Sequence, residues 1–125
     1  FGPQGILAAV DLIVPVPLHR RKQRQRGFNQ AELLARGLSK LTGSPLGRGI
    51  LIKTRNTPSQ VSLEARKRGS NLKGAFAVRK AGLIRKQIIL LIDDVYTTGS
   101  TIRECALTLK KAGAEEIRAI TLARA

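Results

Sequence analysis

Residues 88–101 read IILLIDDVYTTGST. From Ile88 to Asp93 the chain is apolar without alternation and then ends in acid. Such a run, bounded by polar residues, is the pattern of a strand covered on both faces in a parallel sheet. A second acid, Asp94, follows at once, in a chain with only 8 acidic residues. Val95, Tyr96, Thr97, Thr98, Gly99, Ser100 and Thr101 come next, most of them small or hydroxylated.

In an open parallel sheet, ligands bind beyond the carboxyl ends of the strands. Asp93 and Asp94 lie at such an end. Gly99 lets backbone N–H groups approach a ligand closely. Those groups and the N-terminus of a following helix form an anion site, with donors added by Thr97, Thr98, Ser100 and Thr101. A phosphate fits there. The two carboxylates can accept from sugar hydroxyls or hold a metal ion. One ligand that carries both a phosphate and a vicinal diol is a ribose 5-phosphate. The plainer reading of an acid followed by Thr-Gly-Ser is a turn with a helix N-cap. The apolar run, the paired acids and the cluster of small residues together are more specific than that.

The rest of the chain supplies the neighbours. Residues 10–18, VDLIVPVPL, read as a buried strand that ends at Pro15 and Pro17. A basic loop follows and closes at Gly27. Residues 28–41 read as a helix, with Ala31, Leu34, Ala35, Leu38 and Leu41 on one face. Gly43, Ser44 and Pro45 stop it. Residues 49–53 and 75–80 read as short strands. Between them, 54–74 is long, polar and rich in turn signals, and its middle, 60–68, has the pattern of a short helix. Connections of that length are commonly lids or binding loops. Residues 100–112 form a second amphipathic helix with Ile102, Cys105, Ala106, Leu109 and Ala112 on one face. Gly113 ends it, and 116–123 is a last strand. Strands alternating with helices predict an α/β domain with a mostly parallel sheet flanked by helices.

At 125 residues the chain is one domain with room for a hydrophobic core. No apolar run approaches the roughly 18–20 residues that span a bilayer, and the start has no basic region ahead of its apolar part, unlike a signal peptide. The single cysteine, Cys105, excludes an internal disulfide and a cysteine-based zinc site, which fits a reducing cytoplasm. With no methionine present, the sequence is expected to be a fragment or a processed product. A net charge of +15 attracts nucleic acid, anionic membrane or phosphorylated small molecules. Three phenylalanines and one tyrosine are few for a single-strand reader built on base stacking. The basic run 20–26 reads equally as a solvated loop or as a contact to phosphate or nucleic acid. His19 is best read as a loop histidine and Cys105 as core packing. Tyr96 either lines a pocket or packs.

LLIDDVYTTGST resembles the phosphoribosyl pyrophosphate (PRPP) motif of type I phosphoribosyltransferases. More narrowly, VPVPLH, RQRGFNQAELLA, the spacing Gln60, Arg66, Asn71, Phe76, and the ending ITLARA resemble the competence protein F (ComF) family, from about Val10 onward. The resemblance implies a type I phosphoribosyltransferase-like fold with a flexible hood at roughly 54–74. It implies that Asp93 and Asp94 hold the ribose hydroxyls, through Mg2+ at one of them. It implies that Thr97, Thr98, Gly99, Ser100 and Thr101 cradle the 5-phosphate. Arg26 and Gly27, after the first strand, would bind pyrophosphate, with Arg55, Arg66 and Arg68 reaching it from the hood. The implied chemistry is displacement of pyrophosphate at the anomeric carbon. Two departures stand out. Thr97 occupies a position where hypoxanthine–guanine enzymes carry an aspartate, which argues against a 6-oxopurine acceptor. A cysteine-rich, zinc-binding segment usually precedes this core in the competence family, and with one cysteine in this sequence that segment is expected to be missing from it or never to have been present.

Three functions follow as expectations: a phosphoribosyltransferase, a PRPP- or nucleotide-sensing module without catalysis, and a nucleic-acid binder linked to DNA uptake. A homodimer is common on this fold.

Overall fold

The computed structural model describes residues 5–18, 24–25, 29–54, 74–93 and 99–121. Among the described residues, three strands form a parallel sheet in the order β1 (Leu12–Pro15), β4 (Ile88–Asp93), β5 (Glu116–Thr121). The apolar run Ile88–Asp93 is thus the central strand. Leu12 to Pro15 pair with Ile89 to Ile92 on one side, and Ile88 to Asp93 pair with Glu116 to Thr121 on the other. Centrality explains the composition. Ile89, Leu90, Leu91 and Ile92 are all fully buried, because neither face of this strand meets water.

Alternation along the strands divides the core in two. Leu12, Val14, Val16, Ile89 and Leu91 face one side, with Cys105 and Leu109 of helix α2 (Gly99–Lys111). Ile13, Leu90 and Ile92 face the other, with Ala31 and Ala35 of helix α1 (Gln30–Thr42). The second face is completed by Ile6, Leu7 and Val10. The turn that carries them is fastened by Arg118, whose guanidinium donates to the carbonyls of Ile6 and Ala8.

Helix α1 starts two residues later than the periodicity predicts, because Asn29 is its N-cap and not part of it. It stops at Gly43, whose φ of 79° is the left-handed conformation a glycine adopts without Cβ strain. Leu41, expected on the apolar face, is instead 80% exposed. It lies in the last turn, at the margin of the apolar stripe and beyond the packed part of the helix.

The short strands β2 (Leu51–Lys53) and β3 (Phe76–Val78) depart from the parallel pattern. They pair with each other, antiparallel, with Leu51 opposite Val78 and Lys53 opposite Phe76. A short helical pattern at 60–68 between two strands suggests a crossover and hence a parallel pairing, but strands of three residues carry too little pattern to fix their direction. The pair packs on the α2 side of the sheet through Leu51 and Phe76. The expected short helix at 60–68 falls outside the described residues.

Candidate functional site

The carboxyl end of β4 is where the fold gathers its chemistry. Asp93 is the last residue of the strand and is only 1% exposed. By alternation it shares the face of Ile89 and Leu91, toward α2. An electrostatic effect bears this out. The Cys105 thiol is pushed far above its ordinary pKa, first by burial and then by the negative charge of Asp93, with Lys53 opposing and Glu104 adding. Cys105 is therefore a protonated core residue, as expected from its place on the helix face.

Helix α2 begins at Gly99 and runs back along the sheet, against β3, β4 and β5. Its N-terminus thus lies at the same end of the sheet as Asp93. The first N–H groups of a helix have no partner within it and attract anions. Thr101, in this first turn, is buried. Neither Asp93 nor Thr101 is left without an interaction. Of the residues expected to bind a ribose 5-phosphate, Asp93 at the end of β4 and Thr101 in the first turn of α2 lie at one end of the sheet, with α2 beginning at Gly99. Asp94, Thr97 and Thr98 lie outside the described residues, as does Tyr96.

The loop after β1 opens at the same end. Val16 continues the pairing of β1, its N–H donating to the Ile92 carbonyl at 2.8 Å. Asn29 then closes the loop. Its Nδ2 donates to the Val16 carbonyl at 3.2 Å, while its Oδ1 accepts the Ala31 N–H at 3.0 Å. One buried side chain thus joins the end of the strand to the start of the helix. It holds both ends of segment 17–28 beside the end of β4. Arg26, Gly27 and His19 belong to that segment, outside the described residues. Sequence reading did not single out Asn29. The signal was present, since Asn29 followed three residues later by Glu32 has the spacing of a capping box.

The expected hood also has both feet in view. The Thr54 N–H donates to the Ala75 carbonyl at 2.7 Å, and its Oγ1 donates to the same oxygen at 3.0 Å. The Gly74 N–H donates to Oε1 of Glu104 on α2 at 3.4 Å. The segment therefore leaves and rejoins the fold against α2, through the antiparallel pair. Arg55, Arg66 and Arg68 lie outside the described residues. Lys53, at the foot of the hood, was not anticipated. Its ammonium sits 5.9 Å from the Phe76 ring centre, and it acts on the same thiol as Asp93. The pairing of β2 with β3 sets Lys53 opposite Phe76 and places its charge within reach of the buried thiol.

Among the described residues no group of three or more His, Cys, Asp or Glu side chains could enclose a metal ion. No described helix is long and apolar enough to cross a membrane.

Both the sequence and the fold have relatives among known proteins. The chain belongs to the phosphoribosyl transferase domain family, whose model matches residues 24–125. It is similar to competence protein F of Haemophilus influenzae, with 43% identity over 117 residues, covering 92% of this chain and 51% of that protein. DNA utilization protein YhgH of Escherichia coli K12 is 39% identical over 91% of this chain and 49% of its own length. Competence protein ComFC of Bacillus subtilis is 33% identical over 90% and 44%. The chain spans about half the length of these relatives. Among solved structures, the glutamine PRPP amidotransferase from B. subtilis matches with a TM-score of 0.58 and 21% identity over 94% of this chain and 23% of that one. A second structure, described as the allosteric regulatory enzyme of purine biosynthesis, matches with a TM-score of 0.56 and 24% identity, over 89% and 21%. These two likenesses concern the fold, and they agree with the type I phosphoribosyltransferase architecture read from the motifs.

Proposed function

We propose that the chain binds PRPP at the carboxyl end of β4 and acts on, or senses, its 5-phosphoribosyl group. The observation that carries this reading is the burial of Asp93 at the end of the central strand, in one corner with the N-terminus of α2. In this reading the helix N-terminus and Thr101 receive the 5-phosphate, with Thr97, Thr98 and Ser100 completing the cradle. Asp93 and Asp94 accept from the ribose hydroxyls. Arg26 and Gly27 receive pyrophosphate from the loop that Asn29 closes, and Arg55, Arg66 and Arg68 approach it from the hood.

The donor set suits Mg2+. This hard cation is commonly held by one or two carboxylates together with substrate phosphates, and needs no all-protein cage. Asp93 and Asp94 are the residues that would hold it. When bound, it would neutralise charge that builds on departing pyrophosphate. The chain's own carboxylates favour the positive charge that develops on the sugar, and its arginines favour the leaving group. The hood would exclude water from the reacting carbon. The names of the relatives, competence and DNA utilization, extend the reading to a domain that serves a DNA-handling protein.

The test is PRPP affinity in a variant carrying Asp93→Asn and Asp94→Asn, with circular dichroism as the check on folding. Loss of binding in a folded protein supports the assignment. Unchanged affinity sinks it.

A further inference from the structure

The opposite end of the sheet carries a second positive surface. Helix α2 ends there in Lys110 and Lys111. The connection into β4 passes the same place. The Lys86 N–H donates to the Gly113 carbonyl at 2.8 Å, and a Cβ on Gly113 would lie 3.3 Å from the Arg85 side chain. Arg85, Lys86, Lys110 and Lys111 are all exposed around this junction, and Arg79 and Lys80 precede them, exposed, in the same connection. Among the described residues none of the six forms a salt bridge with a carboxylate. The acids at this end are Asp11 and Glu115, both exposed, and Glu116, whose half-exposed carboxylate is paired with Arg118. Lys110 donates to the backbone carbonyl of Glu115, not to its side chain.

Lysines at a helix C-terminus favour the helix dipole, and that alone explains Lys110 and Lys111. It does not explain Lys80 and Lys86. Both hold left-handed backbone, with φ of 55° and 62°. Glycine or asparagine is the comfortable residue in that conformation. Ala9 holds the same conformation without a charge, so what Lys80 and Lys86 bring to this connection is two further exposed cations beside Arg79 and Arg85.

We propose that this pole docks the phosphodiester backbone of a nucleic acid, with Arg85, Lys86 and Lys111 as its principal contacts. Among the described residues of the cluster none is aromatic, so the contact is to phosphates and not to stacked bases. The surface is separate from the phosphoribosyl site. The length of β4, six residues, puts roughly 17 Å between the two ends of the strand. That is about two Debye lengths at physiological salt. The proposal therefore stands independently of the PRPP reading.

The test is fluorescence anisotropy of a labelled DNA duplex, titrated at several salt concentrations, with the wild-type chain and two triple variants. One carries Arg85→Gln, Lys86→Gln and Lys111→Gln. The other removes the same charge elsewhere, through Arg36→Gln, Lys40→Gln and Arg48→Gln. The pole variant should lose roughly tenfold or more in affinity, and its slope of log affinity against log salt should fall by about 2.7, near 0.9 for each lost contact. The second triple should keep the wild-type slope. Equal losses in both variants would overturn the proposal in favour of a field of the whole molecule. So would intact DNA binding with lost affinity for anionic lipid vesicles, which would assign the pole to a membrane surface. The Asp93→Asn, Asp94→Asn variant should bind the duplex as wild type does, so failure of either reading is visible without the other.

Discussion

Replacing Asn29 removes two hydrogen bonds with one substitution. In Asn29→Ala, helix α1 loses its N-cap, worth about 1 kcal/mol. The buried Val16 carbonyl loses its bond from Nδ2, at a further cost of about 1–1.5 kcal/mol. The total is roughly 2–2.5 kcal/mol. For a chain of 125 residues the unfolding entropy is about 0.26 kcal/mol/K, so the melting temperature should fall by roughly 8–10 °C. Asn29→Ser separates the two bonds. Its hydroxyl can still cap the helix but is too short to hold Val16, so the loss should halve to about 4 °C. Asn29→Asp keeps a good cap but turns a carboxylate oxygen toward the Val16 carbonyl, so it should be less stable than Asn29→Ser. Thermal unfolding followed by circular dichroism reads all three. Equal melting temperatures for wild type, serine and alanine would refute the two-bond account.

Cys105 supplies the remaining predictions. Because the thiol is buried and its ionisation is opposed by burial and by Asp93, a thiol reagent should label it only slowly in the native protein and rapidly in denaturant. Rapid native labelling would place Cys105 outside the core. The same shift makes stability depend on pH. A folded-state pKa above the unfolded one means that the stability is fully present below about pH 8.5. It then falls as pH rises, by up to about 1.4 kcal/mol per unit, because the unfolded thiol ionises first. Denaturant titrations of wild type against Cys105→Ala should show the difference in slope above that pH. Parallel slopes would contradict it.

Much of this fold is legible because its central strand is so distinctive. Only a strand covered on both faces combines Ile88 to Ile92 with a terminal acid, and its parallel neighbours follow from the helices on either side. The helix α2 face, with Cys105 and Leu109 fully buried, is equally plain from spacing. The antiparallel β2–β3 pair was not legible. Three-residue strands carry too little periodicity to declare a partner, and their pairing is decided by tertiary packing of Leu51 and Phe76. Leu41 misled for a related reason. Helical spacing gives the face of a residue but not whether the sheet extends far enough to cover it. At the site, Asp93 and the start of α2 were readable as a motif. The cap at Asn29 was readable from its spacing to Glu32, but its bond to Val16, 13 residues away, was not, and Lys53 is placed only by the pairing of β2 with β3.

The central claim is that the corner between β4 and α2 is a PRPP site. Calorimetric titration of the chain with PRPP, with and without Mg2+, tests it most directly. The account predicts magnesium-dependent binding with a Kd of about 1–100 μM, roughly 5.5–8 kcal/mol. No heat of binding in either condition, from a protein shown to be folded, would contradict it.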